Sequence, residues 1–253
     1  MTTTVAALRP AAGNPATRPE LTPELEASLS GRIVAALDAL RAAKAEFPSV
    51  AFANSFGAED MVLTDLILAN GLGIEMFSLD TGRLPPETYT LMADAEARYS
   101  TRLAVYFPDA GAVERYVREH GVNAFYGSVD LRKACCRIRK VEPLKRALAG
   151  REAWITGLRA AQSTTRTALA VREHDESFGI TKFNPLADWS EAEVWAYIRI
   201  HNVPYNALHE QFYPSIGCAP CTRAIAVGED IRAGRWWWED ASLKECGLHV
   251  KTS

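Results

Sequence analysis

The sequence predicts an α/β fold, a parallel sheet covered by helices on both faces. Short apolar segments of strand length alternate with longer segments of helical periodicity. Three of the strands run straight into loops rich in glycine, hydroxyl or acidic residues, at 55–60, 80–86 and 157–163. In open sheets of this kind ligands bind beyond the carboxyl ends of the strands, so the three loops should share one rim. A length of 253 residues admits one large α/β domain or two small ones.

The elements follow in order. Thr22-Pro23-Glu24 has the hydroxyl cap and early proline of a helix start, and Leu25, Ile33, Leu37 and Leu40 carry that helix to about Phe47. Ser49 to Ala53 is short and apolar, a buried strand. Ser55-Phe56-Gly57-Ala58-Glu59-Asp60 then opens onto a helix through Met61, Leu63, Leu66 and Ile67, closed by Gly71 and Gly73. Ile74 to Leu79 reads as a second strand, Asp80 to Pro86 as a loop, and Glu87 to about Tyr99 as a helix. Arg102 to Phe107 and Trp154 to Thr156 fit a third and a fourth strand. After Asn184 the character changes: Trp189-Ser190-Glu191-Ala192-Glu193 is a capped helix start, followed by Trp195, Ile198 and Ile200. Beyond Gly217 come cysteines, arginines and Trp236-Trp237-Trp238, with little periodicity.

Composition narrows the function classes. A hydrophobic share of 48% with 23% charged residues excludes a wholly disordered or collagen-like chain. A net charge of −3 and a pI near 6.0 speak against a general nucleic-acid coat, and no apolar run approaches the roughly 18 residues of a membrane span. Residues 1–21, rich in Thr, Ala and Pro, lack the features of a secretion signal and are expected to be a disordered leader. The expected location is therefore the cytoplasm, where five cysteines point to metal binding or catalysis rather than disulfides.

Four of the five form two pairs, Cys135-Cys136 and Cys218-Ala219-Pro220-Cys221. Four thiolates suit tetrahedral zinc or an iron–sulfur cluster. Adjacent helical residues point about 100° apart, so the first pair needs a strained turn or several metal atoms presented together, which favours a cluster. That pair lies in a basic stretch running from Arg132 to Lys140, where Lys140 is an i+4 neighbour of Cys136 on a helix. Ser55-Phe56-Gly57 and Gly157-Leu158-Arg159 are strand-to-loop turns able to offer main-chain N–H groups to an anion. The fifth cysteine, Cys246, is followed by Gly247-Leu248-His249 in a terminal segment expected to be mobile. Lys244 and His249 favour its thiolate, and Arg232 and Arg235, three apart on one face if helical, could hold an anion that it attacks.

Taken together these residues resemble the assimilatory adenylyl-sulfate (APS) reductases of the PAPS reductase family. The resemblance runs in order from about Phe47 to His249. It is carried by Ser55-Phe56-Gly57-Ala58-Glu59-Asp60, Leu79-Asp80-Thr81-Gly82-Arg83-Leu84, Cys135-Cys136 with Arg139-Lys140, Thr156-Gly157-Leu158-Arg159 and Gln162-Ser163. It continues through Asn184-Pro185-Leu186-Ala187-Asp188-Trp189, Ile216-Gly217-Cys218-Ala219-Pro220-Cys221-Thr222-Arg223 and Glu245-Cys246-Gly247-Leu248-His249. At 160–161 the chain has Ala-Ala where relatives often carry a charged pair.

The resemblance implies a Rossmann-like adenine nucleotide α-hydrolase fold of the PP-loop type. It implies a 4Fe-4S cluster on Cys135, Cys136, Cys218 and Cys221, and a catalytic Cys246. Substrate contacts are implied for Ser55, Gly57, Leu79, Lys140, Gly157, Arg232, Arg235 and His249. The implied reaction reduces adenosine 5′-phosphosulfate to sulfite and AMP with thioredoxin, or glutaredoxin, as electron donor, in sulfate assimilation and cysteine biosynthesis. The expected organisation is one domain over 22–235 and a mobile catalytic segment over 236–253, with a homo-oligomer left open. The alternatives are a PAPS reductase, whose members typically lack the two cysteine pairs, and a non-catalytic iron–sulfur redox sensor.

Overall fold

The structure, a computed structural model, describes residues 20–162, 169–226 and 228–240. Its centre is a six-stranded sheet in the order β3-β2-β1-β4-β6-β5. The strands are β1 (Ala51–Ala53), β2 (Glu75–Leu79), β3 (Ala104–Tyr106), β4 (Ala153–Ile155), β5 (Arg172–Asp175) and β6 (Ile180–Phe183). All neighbours are parallel except β5 and β6. This hairpin is the departure from the predicted all-parallel sheet; its polar edge strand, Arg172-Glu173-His174-Asp175, lacks the apolar signature that marked the others.

Seven α-helices accompany the sheet among the described residues: α1 (Pro23–Glu46), α2 (Ala58–Ala69), α3 (Pro86–Tyr99), α4 (Ala110–His120), α5 (Val129–Cys136), α6 (Glu142–Leu148) and α7 (Glu191–Ile200). The Thr22 side chain accepts from Leu25 N–H and caps α1, with Pro23 in the first turn. Ser190 and Glu193 form a reciprocal capping box on α7. None of these helices is long and apolar enough to cross a membrane.

The alternation of strand side chains explains the two layers. Phe52, Met76, Ala153 and Ile155 face a core formed with α1, α2, α3 and α7, while Ala51, Phe77 and Trp154 face Leu144, Ala147 and Leu148 of α6. Both faces are covered, as the continuous apolar strands required. Within the larger core, Asp65 of α2 accepts hydrogen bonds from Tyr99 of α3 (2.8 Å) and Tyr197 of α7 (2.7 Å), so a buried carboxylate ties three helices together.

A third, smaller cluster sits apart from both: Phe125, Cys218, Cys221 and Trp236, with Cys135 and Trp238 against it. The C-terminal strip is fastened there by Arg132 of α5, which donates to both carboxylate oxygens of Glu239 (2.9 and 2.7 Å) and stacks over the Trp236 ring at 4.8 Å. Both side chains of the pair are almost fully enclosed, at 1% and 2% exposed. Removing one partner of such a pair strands a buried charge, so Arg132→Met should lower the unfolding free energy by about 3–5 kcal/mol. Adding Glu239→Leu should recover most of that loss in denaturant titrations.

Candidate active site

From β1 the chain steps outward to β2 and β3, then crosses back to β4 on the other side of β1. The carboxyl ends of β1 and β4 therefore flank a topological switch point, where a crevice must open. A cavity of about 320 Å³ lies there, within the range of small-ligand sites. Its walls carry Ser55, Gly57, Leu79, Lys140, Gly157, Arg232 and Arg235. All the described residues implicated in substrate contact thus meet in one place. Cys246 and His249 lie outside the described residues, as do Ser163, most of the leader and most of the C-terminal segment.

The turn after β1 is held under local strain. Phe56 has φ +61°, a left-handed conformation that costs a non-glycine residue on the order of 1–2 kcal/mol. Its ring is buried in the main core, and the Asn54 side chain accepts from Phe56 N–H (2.7 Å) and donates to Thr64 Oγ1 (2.9 Å). Asp60, one turn into α2, accepts from both the main-chain N–H and the hydroxyl of Ser55, each at 2.6 Å. Gly157 N–H from the β4 turn also reaches this carboxylate. A Cβ at Gly157 would collide with Asp60 Oδ1, so only glycine lets the two turns close together. Arg159 reinforces the junction by pairing with Glu59 (2.7 Å) while donating to the Trp189 carbonyl (3.3 Å). At Gly57, by contrast, a Cβ would make only ordinary contacts, so the fold itself does not call for glycine there.

The opposite end of the cavity is basic. Lys140 follows Cys136 through a π-helical turn, Arg137–Val141, rather than continued α-helix. The turn is wider than the α-helix expected, but Cys136 and Lys140 still line one cavity, as their i, i+4 spacing required. Arg232 and Arg235 do not lie on a helix either, since 231–234 is a run of turns and Arg235 pairs in a β-bridge with Thr222. Arg235 donates to the Ile216 carbonyl (3.0 Å) and stacks on Trp236, which has φ +41° and receives Arg132 at the same 4.8 Å. A Cβ at Gly217 would run into the Arg235 guanidinium.

Behind Lys140, Cys218 and Trp236 lies a second, smaller cavity that shares these three residues with the first. Cys135, Cys136, Cys218 and Cys221 all line it, together with Arg83, Arg132, Arg139 and Lys140. Among the described residues none of the four is disulfide-bonded. Tyr126 Oη donates to the Pro220 carbonyl (2.6 Å), Ala219 N–H to the Arg83 carbonyl (2.8 Å) and Trp236 N–H to the Cys221 carbonyl (3.2 Å), which pins the CxxC turn on three sides. Cys218 Sγ donates to Thr81 Oγ1 (3.3 Å), whose own carbonyl accepts from Arg139 (2.6 Å).

Burial and the neighbouring Cys218 sulfur push the Cys221 thiol up to about 12, with Lys140 only partly offsetting them. Burial also raises Cys135, against Arg139. Cys218 lies below its ordinary value: burial opposes ionisation, but Lys140, Thr81, Arg235 and Arg139 outweigh it. Four thiolates coexist here only around added positive charge. A donor set of four thiols around a cation-rimmed cavity fits an iron–sulfur cluster in charge and softness.

The phosphoadenosine phosphosulfate reductase domain model matches residues 49–224. The chain belongs to this family. It is 60% identical over 222 residues to the adenosine 5′-phosphosulfate reductase of Allochromatium vinosum, a match covering 88% of this chain and 87% of that one. It is 56% identical over 238 residues to the enzyme of that name from Burkholderia cepacia, covering 94% and 93%. Among solved structures, phosphoadenylyl-sulfate (PAPS) reductase from Candida auris, in a phosphate complex, aligns with a TM-score of 0.65 at 32% identity. That alignment spans 80% of this chain and 98% of the fungal one. Yeast FAD synthetase shares the fold, with a TM-score of 0.57 at 15% identity. The PP-loop-type nucleotide-binding architecture of the family is therefore the architecture of this chain.

Sequence reasoning placed Ser55, Gly57 and Gly157 in the family's anion-binding turns but passed over Asp60, which holds those turns together. It also passed over Thr81, Arg132 and Arg139, which organise the cysteine cavity. Asp60, Thr81 and Arg139 stood inside the quoted motifs and Arg132 at the start of the basic stretch, but their partners are set by the fold. Because Gly217 makes room for Arg235, Gly217→Ala should displace the guanidinium and weaken anion binding about tenfold or more, as read by sulfate or nucleotide titration, with a much smaller change in Tm.

Proposed function

We propose that the protein reduces adenosine 5′-phosphosulfate to sulfite and AMP, drawing electrons from reduced thioredoxin or glutaredoxin. The observation that carries this reading is the shared wall of the two cavities. A nucleotide-sized crevice with a basic end abuts a four-cysteine chamber through Lys140, Cys218 and Trp236. The relatives named adenosine 5′-phosphosulfate reductase support the choice of substrate. The activity belongs to cytoplasmic sulfate assimilation and cysteine biosynthesis, in a compartment where Cys246 stays reduced.

In this mechanism the Cys246 thiolate attacks the sulfate sulfur. The new sulfur–sulfur bond forms as the bond from sulfur to the bridging oxygen breaks, and AMP leaves with that electron pair. A thiolate meets like charge as it approaches a sulfate, so Lys140, Arg232 and Arg235 neutralise the sulfate oxygens and His249 closes over them. Ser55, Gly57 and Gly157 orient the phosphosulfate, and Leu79 borders the adenine. A donor thiolate then attacks Cys246 Sγ, which retains a bond to it while sulfite departs with the electron pair. The donor's second thiol resolves that mixed disulfide and returns Cys246 to the thiol. The second step needs the tail to leave the cleft, a movement suited to a glycine-containing terminal segment.

Cys135, Cys136, Cys218 and Cys221 would hold a 4Fe-4S cluster, which supplies positive charge to four thiolates and a rigid link between α5 and the CxxC turn. Lys140, on the wall common to both cavities, is the residue through which the cysteine chamber is felt at the sulfate.

Two measurements test the reading. Cys246→Ser should abolish the labelled protein–sulfonate adduct formed from isotopically labelled substrate and lower turnover by at least about 10³-fold. A labelled adduct surviving in that variant overturns the nucleophile assignment. The purified protein should contain iron and sulfide and show a higher kcat/KM for adenosine 5′-phosphosulfate than for its 3′-phosphorylated analogue. A colourless zinc protein overturns the cluster assignment, and the reverse substrate preference returns the PAPS reductase reading.

A further inference from the structure

The anion turn is already full. Ser55 N–H and Ser55 Oγ–H both go to Asp60, Phe56 N–H goes to Asn54, and Gly57 N–H leans on Ser55 Oγ at 3.4 Å. Gly157 N–H, from the facing turn, also goes to Asp60. A main-chain nest of the kind that receives phosphate thus holds a carboxylate of the chain's own. With Asp60 ionised, Ser55 turns its lone pairs, not its proton, toward the cavity, and a substrate anion meets negative charge where it needs donors.

We propose that Asp60 is the positioning residue of this turn and that the substrate anion binds with Asp60 protonated, so that binding takes up a proton. The inference rests on the phosphosulfate reading above. Protonation gives the carboxyl a donor of its own and frees the Ser55 hydroxyl to donate to the incoming oxygens, while the carboxyl still accepts from the Ser55 main-chain N–H and keeps the β1 and β4 turns in register.

The surroundings favour this proton. Asp60 is enclosed, and burial raises it to about 6, with the Ser55 hydroxyl, Ser55 N–H and Gly157 N–H pulling down and Glu59 pushing up. Glu59 is itself paired with Arg159 of the β4 turn. Across the cavity, Glu191 at the start of α7 is also raised by burial, and His209 of the turn Ala207–Gln211 is held down to about 4, so that imidazole is silent near pH 6. Lys140, Arg232 and Arg235 line the far end. The sign follows from linkage. A carboxyl whose proton is held more tightly with ligand than without it gives an affinity that rises as pH falls toward the free-state value and declines above it. The loss should be about tenfold between pH 7 and pH 8. Phosphosulfate does not titrate in this range, so the dependence belongs to the protein.

The experiment is calorimetric titration of adenosine 5′-phosphosulfate into the full chain carrying Cys246→Ser, in buffers of different ionisation enthalpy between pH 5 and 8. The expected result is close to one proton taken up at pH 7.5, and an uptake near zero when Asp60→Asn is added. Asparagine keeps an acceptor for the Ser55 N–H but cannot titrate, and the difference between the two proteins cancels any contribution from His249. Ser55→Ala offers a second test without altering the carboxyl: losing a donor to the carboxylate should move the onset of proton uptake to higher pH. Equal proton uptake with and without Asp60→Asn, or an unmoved onset in Ser55→Ala, overturns the inference while the reaction stands. Absence of any binding overturns the functional reading and this inference with it.

Discussion

The geometry of both cavities hangs on the buried bond between Arg132 and Glu239. Glu239 reaches α5 across 107 positions of sequence, and both side chains of the pair are almost fully enclosed. Its consequence is positional. With Glu239 fixed, Trp236 lies between Arg132 and Arg235, and its N–H meets the Cys221 carbonyl. Arg235, in turn, bridges Thr222 and lies over Gly217 on either side of the CxxC turn. One ion pair therefore places the second cysteine pair opposite the first and sets the basic end of the crevice. A buried pair is a poor source of net stability, since desolvation consumes most of its attraction, but it admits one arrangement and penalises others.

The crevice itself is built against local preference. Phe56 and Trp236 both take positive φ without being glycine, and both border the cavity or the turns that form it. Each is held by a large ring in a packed cluster, Phe56 in the main core and Trp236 in the cysteine cluster. Apolar burial worth about 1.5–3 kcal/mol per large side chain exceeds the cost of one left-handed residue, so packing wins and the strain persists at the site.

Much of this was legible in the amino-acid order. Strands at Ala51–Ala53, Glu75–Leu79, Ala104–Tyr106 and Ala153–Ile155 are short, mainly apolar runs bounded by turns; the central pair is buried on both faces, whereas Ala104–Tyr106 lies at the sheet edge and is largely exposed. The capping of α1 and α7 was legible because a cap is a local contract between residues three apart. The β5–β6 hairpin was not: its polar residues pair through Lys182, Glu173 and Asp175, a pattern that looks like a solvated loop until a neighbouring strand is known. Arg132 was invisible for the same reason. It sits in a basic run that reads as surface, and only tertiary contact with a residue near the far terminus reveals a fully buried charge. The family resemblance named residues that prove to line one crevice, whereas their hydrogen-bond partners required the fold.

The adjacent cysteines show how a local irregularity serves two sites at once. Cys135 and Cys136 are the last two residues of α5 and diverge by about 100°; in continued α-helix the next four residues would follow the same spiral. Instead α5 stops at Cys136 and the chain widens into a π turn, the kind of interruption that recurs at functional sites. Arg139 then reaches the Thr81 carbonyl and Lys140 lines both cavities. The charge that tempers Cys218 and Cys221 is thus the same charge that faces the nucleotide crevice. A change in the charge of the cysteine chamber must alter how strongly Lys140 attracts an anion, whatever electrons do there. Electrostatic coupling through a shared lysine is enough to give a four-cysteine chamber a part in the chemistry proposed for a fifth thiol elsewhere in the chain.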